Sequence, residues 1–551
     1  MSVSTPVRSA APVTIRHDPT KTLPTTIALM LCAIALAPTL TYRMGTDQGV
    51  FAYMGAAILD GRWPYLHTWE SDFPGLMWLQ ALEILVLGKS IVMFRLFDFM
   101  FQLGNAYLIF RITTRIAGGA IAGSIAAVLF CLVYQGYGPW NTAQREGFGL
   151  VFVLTGFWLY FTAERRPAWL TAAGIGLGLG AAVMIKPTLG ALAAFYVPLA
   201  VRLTNARAWR VVAAAALAAA APIGCVMIAY SLRGGLMQLY EACIAYQSIY
   251  TARLRGVDPL PVYWMNKISR LGRNAIVLSL VYPPFLLWGS RRVERGMVYF
   301  AYLGSVYAVF VQGTFAGYHY IPGLALGSVL IGSGFVQMTS LVSDRATAML
   351  GGRRVSIEPV AAALVLLLAF PAYIRWPTVE ALATLRFLNP PVPGEFRRDT
   401  VFDFTEDFEL AAYLRSHTRP DDAVQVWGYE SLVYYLADRH AASRFQMTHP
   451  LVMRAPGTSL TPMQLRWRSE FLRDVAQRPP SYIAVVRQDN WWWAPEQRTS
   501  EELLDDFPEW KRVIERNYRL EGTIGRFLIY RRTAPNTPVT LVVESPEMGH
   551  A

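Results

Sequence analysis

The chain has 551 residues, of which 54% are hydrophobic and only 16% charged, whereas a soluble globular protein carries about 25% charge. The net charge of +12 is unevenly placed: residues 1–375 hold 29 Lys+Arg against 14 Asp+Glu, and residues 376–551 hold 21 against 24. This pattern fits a membrane part with positive-inside loops joined to a near-neutral soluble domain, and no basic helix or RNA-binding signature points to nucleic acid.

The polar segment 1–24 lacks a small-residue cleavage site before the first apolar run, so it reads as a retained cytoplasmic tail, not a signal peptide. Apolar runs near 20 residues then recur at about 25–42, 91–112, 119–137, 146–163, 168–185, 187–203, 209–231, 274–290, 296–313, 321–342 and 358–374, which predicts about eleven membrane-spanning helices over residues 25–375. The run 74–87 is apolar but only 14 residues long, a length that suits an interfacial or re-entrant helix. With that run not crossing, Arg8, Arg16, Arg111, Arg115, Arg165, Arg166, Arg202, Arg210, Arg291, Arg295, Arg345 and Arg354 all fall on one side, the cytoplasm. The opposite face receives the loops 45–90, 138–145, 233–273 and 314–320 and everything after residue 375.

The external face collects the polar residues that a membrane chain does not need for spanning. The loop 45–90 carries Asp47, Asp60, Glu70 and Asp72, and acids beside a bilayer are costly unless they face water or do chemistry. Arg145, Glu146, Lys186, Arg253, Arg255, Lys267, Arg270, Arg273, His319 and Tyr320 lie on or near the same face. Each also has a plainer reading. Glu146 at a helix start complements the helix dipole, Lys186 can snorkel to headgroups, His319 between Tyr318 and Tyr320 fits an interfacial aromatic belt, and Arg253 and Arg255 can touch lipid phosphates nonspecifically. The four cysteines (Cys32, Cys131, Cys225, Cys243) form no metal-binding spacing and none falls after residue 375.

Residues 376–534 read as an external α/β domain. Helices are expected near 407–416 and 431–437, buried strands at 423–427 and 481–486, and a terminal hairpin over 519–530 with Gly522 and Gly525 near its turn. Trp491, Trp492 and Trp493 suit either sugar stacking or a membrane surface, and residues 535–551 read as a flexible tail.

Several motifs carry a resemblance. Asp47-Gln48-Gly49, Asp60-Gly61-Arg62-Trp63-Pro64-Tyr65, Pro74-Gly75, Ile185-Lys186-Pro187-Thr188, His319-Tyr320-Ile321-Pro322 and the domain segments 411–414, 421–428 and 434–436 resemble the GT-C membrane glycosyltransferases. These include the protein O-mannosyltransferases, the lipid A aminoarabinose transferases and the rhizobial galacturonosyltransferases. The resemblance implies a helical GT-C-like membrane domain and transfer of a sugar from a polyprenyl-phosphate donor to an envelope acceptor: a glycolipid, a polysaccharide or a protein. It places the enzyme in a bacterial inner membrane with its C-terminal domain in the periplasm. Asp47 matches the family's first external acid and is the expected base, with Glu146 near the second. Lys186, Arg145, Arg253, Arg255, His319 and Tyr320 are the expected contacts to lipid phosphate and sugar.

Two departures stand out. Many relatives carry a Lys before the proline at 74, where this chain has Ser71-Asp72-Phe73, so phosphate binding must fall to other cations. Many also follow the first Asp with Glu, where this chain has Gln48; a divalent metal stays open, but a paired-carboxylate site is weakened. No other cofactor is implied. Two other functions compete: a transporter or flippase of a lipid-linked or anionic substrate, which would call for broken helices and internal symmetry, and a noncatalytic scaffold of envelope assembly.

Overall fold

The computed structural model describes residues 19–195, 208–256, 258–271, 292–350, 405–489 and 494–534. The expected spans at 274–290 and 358–374, Arg273, the side chain of Arg270, Trp491 to Trp493 and both chain ends lie outside them.

The first part is helical: α1 (Pro19–Leu36), α2 (Thr46–Leu59), α3 (Gly75–Leu87), α4 (Ile91–Ala117), α5 (Ala120–Gly136), α6 (Arg145–Phe161), α7 (Ala168–Ile185), α8 (Ala208–Leu232), α9 (Tyr246–Arg255), α10 (Leu260–Leu271), α11 (Arg292–Gln312) and α12 (Ile321–Met349). Among the described residues, four stretches are long and apolar enough to cross a membrane: Leu23–Thr41, Ala168–Ile185, Trp209–Leu232 and Gly317–Met349. The α1, α4, α5, α6, α7, α11 and α12 helices start within a few residues of the expected spans. The expected span at 187–203 instead opens as a 3-10 turn, Pro187–Phe195.

The segment 45–90, read from sequence as an external loop with a short helix over 74–87, is a helical hairpin. Two helices, α2 and α3, flank a turn held by Tyr65, whose φ is +66°. At 13 residues α3 is about 20 Å long, short of the roughly 30 Å hydrocarbon core. It turns Leu82, Leu85 and Val86 outward and buries Gln80 and Glu83, the reverse of a helix lying on a soluble protein.

The α4 helix shows why its mean composition misleads. Arg95, Asp98, Gln102 and Asn105 recur at helical spacing and are all fully buried. The Arg95 guanidinium donates to the Tyr42 carbonyl (3.1 Å), the Pro139 carbonyl (3.0 Å) and the Thr142 hydroxyl (3.1 Å). Gln102 donates to Asp98 (2.9 Å), which accepts also from Tyr134 (2.8 Å), and Asn105 donates to the Gly147 carbonyl (3.0 Å). This polar column fixes the two segments, 42–48 and 139–147, from which Asp47 and Arg145 project.

The C-terminal domain is a five-stranded mixed sheet in the order β2-β1-β3-β5-β4, formed by β1 (Ala423–Trp427), β2 (His440–Ala441), β3 (Tyr482–Val486), β4 (Tyr518–Ile524) and β5 (Phe527–Arg532). β1 runs parallel to β2 and β3, and β5 is antiparallel to β3 and β4. Every residue of AVQVW and YIAVV is buried, as expected of central strands covered on both faces. Around the sheet pack α13 (Thr405–His417), α14 (Leu432–Ala437), α15 (Pro462–Gln477) and α16 (Pro508–Asn517). Neither α15 nor α16 was expected, although Thr461-Pro462 with Gln464 forms a legible capping box.

The domain is seated on the helical hairpin. Gln446 exchanges two hydrogen bonds with the Trp69 backbone (2.8 and 2.6 Å), Arg444 donates to the Tyr65 carbonyl (3.0 Å), and the Ala441 amide donates to the Tyr53 hydroxyl (3.0 Å). The Trp69 ring meets Tyr246, His449 and Trp467 edge-on at 4.8, 4.9 and 5.8 Å. The two parts therefore share one apolar core.

Candidate active site

A cavity of about 820 Å³ opens where the hairpin, the helix ends and the C-terminal domain meet. Its wall includes Asp47, Phe51, Glu70, Asp72, Arg145, Lys186, Tyr250, Tyr318, His319, Tyr429 and His449. Pockets of this size take small molecules through a few convergent polar groups on an aromatic wall.

Asp47 sits in the first turn of α2. The turn is set by Gln48, whose Oε1 accepts from the Gly45 amide at 2.5 Å while its Nε2 donates to the carbonyls of Pro139 (2.7 Å) and Thr142 (2.6 Å). A carboxylate cannot donate those two bonds, so the amide of Gln48 clamps the helix start. Asp47 itself accepts from the Tyr429 hydroxyl at 3.3 Å. Burial raises its pKa, against the opposing pull of Arg145, Tyr429, Lys186 and Tyr318. A carboxylate with a raised pKa is a better proton acceptor near neutrality.

Arg145, at the start of α6, lies over the rings of Phe51 (5.2 Å) and Tyr318 (5.8 Å) and forms an ion pair with Asp72. Lys186, just past α7, has its Nζ 3.5 Å from Asp72 Oδ1 and 3.9 Å from Glu146 Oε1. Asp72 thus neutralises both of these cavity cations. Burial and then Arg145 lower the Lys186 pKa to about 8, with Glu146, Glu70 and Asp47 pulling it upward. His319 Nε2 is 3.9 Å from Glu146 Oε1. At that distance the two side chains make no hydrogen bond. Glu70 also faces the cavity; burial raises its pKa, and it accepts from the Ser71 amide at 2.7 Å.

The residues expected from sequence therefore divide. Asp47, Arg145, Lys186 and His319 converge on the cavity. Glu146 is 1% exposed and stands behind the wall against Lys186 and His319, where neither carboxylate oxygen makes a hydrogen bond among the described residues. Arg253 turns to the Ala494 carbonyl (2.8 Å), and Arg255 is exposed away from the cavity. Tyr320 lines a separate apolar cavity of about 400 Å³ with Tyr137, Tyr302 and Phe315. Lys267 is buried against the rings of Tyr263, Trp264 and Phe310 at 5.0–5.2 Å. Among the described residues, no three His, Cys, Asp or Glu side chains are grouped closely enough to hold a metal ion.

Sequence reasoning missed Tyr429, His449, Tyr250 and the pairing role of Asp72. Tyr429 and Glu430 follow directly on β1, and the carboxyl end of a parallel strand is where α/β sheets place ligand-binding loops, so a signal existed for them.

No protein-family model matches this chain, and no curated protein matches it by sequence. Solved structures do. ArnT from Cupriavidus metallidurans bound to undecaprenyl phosphate matches with a TM-score of 0.54 at 12% identity, covering 94% of this chain and 98% of that one. The apo state of the same protein matches at 0.54 and 11%, covering 93% and 97%. The chain shares the fold of ArnT. A more distant match is the Archaeoglobus fulgidus oligosaccharyltransferase, with a TM-score of 0.43 at 12% identity over 84% of this chain and 68% of that one. The match covers 94% of this chain, so the shared fold takes in the C-terminal sheet as well as the helices.

Proposed function

We propose that this protein is an integral membrane glycosyltransferase that moves a sugar from a polyprenyl-phosphate donor to an acceptor of the cell envelope. The observation that carries the reading is the convergence of Asp47, Arg145 and Lys186 on one cavity. The fold is shared with a protein solved with undecaprenyl phosphate, which supports the class of donor.

The chemistry follows from the placement. The acceptor hydroxyl loses its proton to Asp47 as its oxygen attacks the anomeric carbon of the sugar. The bond from that carbon to the phosphate oxygen breaks, and the electron pair leaves on polyprenyl phosphate. Negative charge then grows on the phosphate, and Arg145 and Lys186 stabilise it. Arginine offers its planar donor fork and lysine a point charge. Both cations are engaged by Asp72, so the donor phosphate competes with that carboxylate for them. Glu146 stands 3.9 Å from Lys186 behind the wall and acts through the charge of that lysine. A flippase reading calls for charge at mid-membrane; the charges of this cavity gather beneath the C-terminal domain instead.

In this reading the N-terminus is cytoplasmic and the C-terminal domain periplasmic in a bacterial inner membrane, and the acceptor is a glycolipid, a polysaccharide or a protein. Mass spectrometry of envelope glycans and lipids from cells with and without the gene tests it. The reading predicts loss of one sugar modification and accumulation of a polyprenyl-phosphate sugar; identical profiles from both strains would refute it.

A further inference from the structure

The turn after β1 reads Gly428-Tyr429-Glu430-Ser431, and two adjacent residues of it grip two adjacent residues of α2. The Tyr429 hydroxyl donates to Asp47 Oδ1 at 3.3 Å, and the Thr46 hydroxyl donates to Glu430 Oε2 at 3.1 Å. The other Glu430 oxygen lies 3.3 Å from Arg526 Nη2, in the β4–β5 turn. Arg526 also bonds Asp407 Oδ2 at 2.7 Å, and its amide donates to Glu406 Oε2 at 2.8 Å. Glu430, Asp407 and Arg526 are all buried.

The turn itself has no room to drift. A Cβ on Gly428 would lie 2.1 Å from Val486 Cγ2, and the Gly428 carbonyl accepts from the Thr448 amide at 3.0 Å. The Tyr429 ring meets His449 edge-on at 5.3 Å. Burying this many charges carries a large desolvation cost, and apolar residues of equal volume often serve stability as well. A charged cluster that ends on the residues flanking the candidate base is better explained by what it positions.

We infer that the C-terminal domain is a working part of the active site, with Tyr429 as a positioning residue that holds Asp47 Oδ1 and so orients the carboxylate to receive the acceptor proton, and with the Glu430–Arg526 pair fixing Tyr429. The inference rests on Asp47 being the base. A phenol that donates to a carboxylate favours its charged form. Asp47 is also faced by Arg145 at the start of α6, Lys186 after α7, Tyr318 before α12, Tyr250 on α9 and Glu70 in the hairpin turn. None of these changes when the Tyr429 hydroxyl is removed, so a shift in titration on its removal reports the Tyr429 bond.

The test uses the full chain in detergent. Polyprenyl-phosphate sugars and acceptor lipids extracted from the host envelope serve as substrates, and released undecaprenyl phosphate is quantified across pH. Tyr429→Phe keeps the ring against His449 and loses only the hydroxyl. It is expected to lower kcat by ~10-fold below neutrality, to move the acid limb of the rate profile to higher pH, and to leave the donor KM within about two-fold. Glu430→Gln is expected to lower kcat in the same KM-sparing way, which covers the case in which Tyr429→Phe fails to fold. Unchanged kinetics in both variants, or a uniform fall in rate without a shifted acid limb in Tyr429→Phe, would overturn the inference. Asp47→Asn run alongside separates the two claims. If it is active, the base assignment fails and the inference with it; if it is inactive while Tyr429→Phe is unshifted, only the inference fails.

Discussion

Gly49 offers a sharp test of how the two parts fit together. It lies in α2 two residues after Asp47, where glycine costs roughly 0.5–1 kcal/mol relative to alanine. A Cβ there would lie 2.6 Å from Leu432 Cβ, 2.7 Å from Leu432 Cα and 3.0 Å from Leu432 N. Two of those atoms are backbone of α14, so the clash cannot be relieved by a rotamer change. Carbon atoms settle at about 3.5–4.0 Å, so α14 must retreat by about 1 Å. Overpacking of this kind costs about 1–3 kcal/mol, which set against the helix-propensity gain leaves Gly49→Ala less stable by up to about 2.5 kcal/mol. The functional cost is larger. Tyr429 stands three residues before Leu432, and its bond to Asp47 is already 3.3 Å long; a retreat of about 1 Å breaks it. Misplacement by that much can cost about 100-fold in rate. Thermal unfolding in detergent and undecaprenyl phosphate release from extracted lipid-linked sugars measure the two effects. A Gly49→Ala protein with wild-type melting temperature and wild-type rate would refute the reasoning, because it would mean that α14 is not seated against α2 as the structure has it.

Further outcomes follow from the site and the topology. Lys186→Glu is expected to weaken binding of undecaprenyl phosphate by at least ~10-fold, measured by native mass spectrometry in detergent. In the wild type, the lysine pKa of about 8 means that the ammonium is present below that pH and lost above it, so affinity for the same probe falls as pH rises through about 8; affinity flat from pH 7 to 9 removes Lys186 from the phosphate site. Gln48→Glu loses the donors to two buried carbonyls and should destabilise by about 2 kcal/mol or more, read as a lowered melting temperature; an unchanged one would contradict the clamp. A reporter fused after Ala551 that is active only outside the cytoplasm should be active, and activity of a cytoplasm-only reporter would overturn the proposed orientation.

Much of this architecture could be read along the chain because long apolar helices and fully buried strands announce themselves by composition. The runs 168–185 and 423–427 needed no partner to be recognised, since a continuous apolar stretch has few other fates. The hairpin 45–90 was harder. The α2 helix is buried on nearly all sides, so it lacks the amphipathic period that marks a surface helix, and its acids drew attention toward a loop. Arg95, Asp98, Gln102 and Asn105 carried a helical period in plain view, but averaging over a span hid it.

The site was legible where one residue type has one use. Asp47 and Lys186 stood out as charges beside apolar runs, and both reach the cavity. Arg253 and Lys267 looked equivalent to them, and only the fold turns one to the Ala494 carbonyl and buries the other among aromatic rings. The pairing of Asp72 with Arg145 and Lys186 joins residues 73 and 114 positions apart, and no local pattern encodes such a contact. The same holds for Tyr429 and Asp47, whose separation of 382 residues spans the boundary between the two parts of the chain.

The central claim is that Asp47 takes the acceptor proton during transfer from a lipid-linked sugar. Its most direct test is purified Asp47→Asn beside the wild type, with extracted polyprenyl-phosphate sugars and envelope lipids and with undecaprenyl phosphate release as the readout. The account predicts a folded protein that still binds undecaprenyl phosphate and releases at least ~100-fold less of it from the donor than the wild type. Release at the wild-type rate by Asp47→Asn would contradict it.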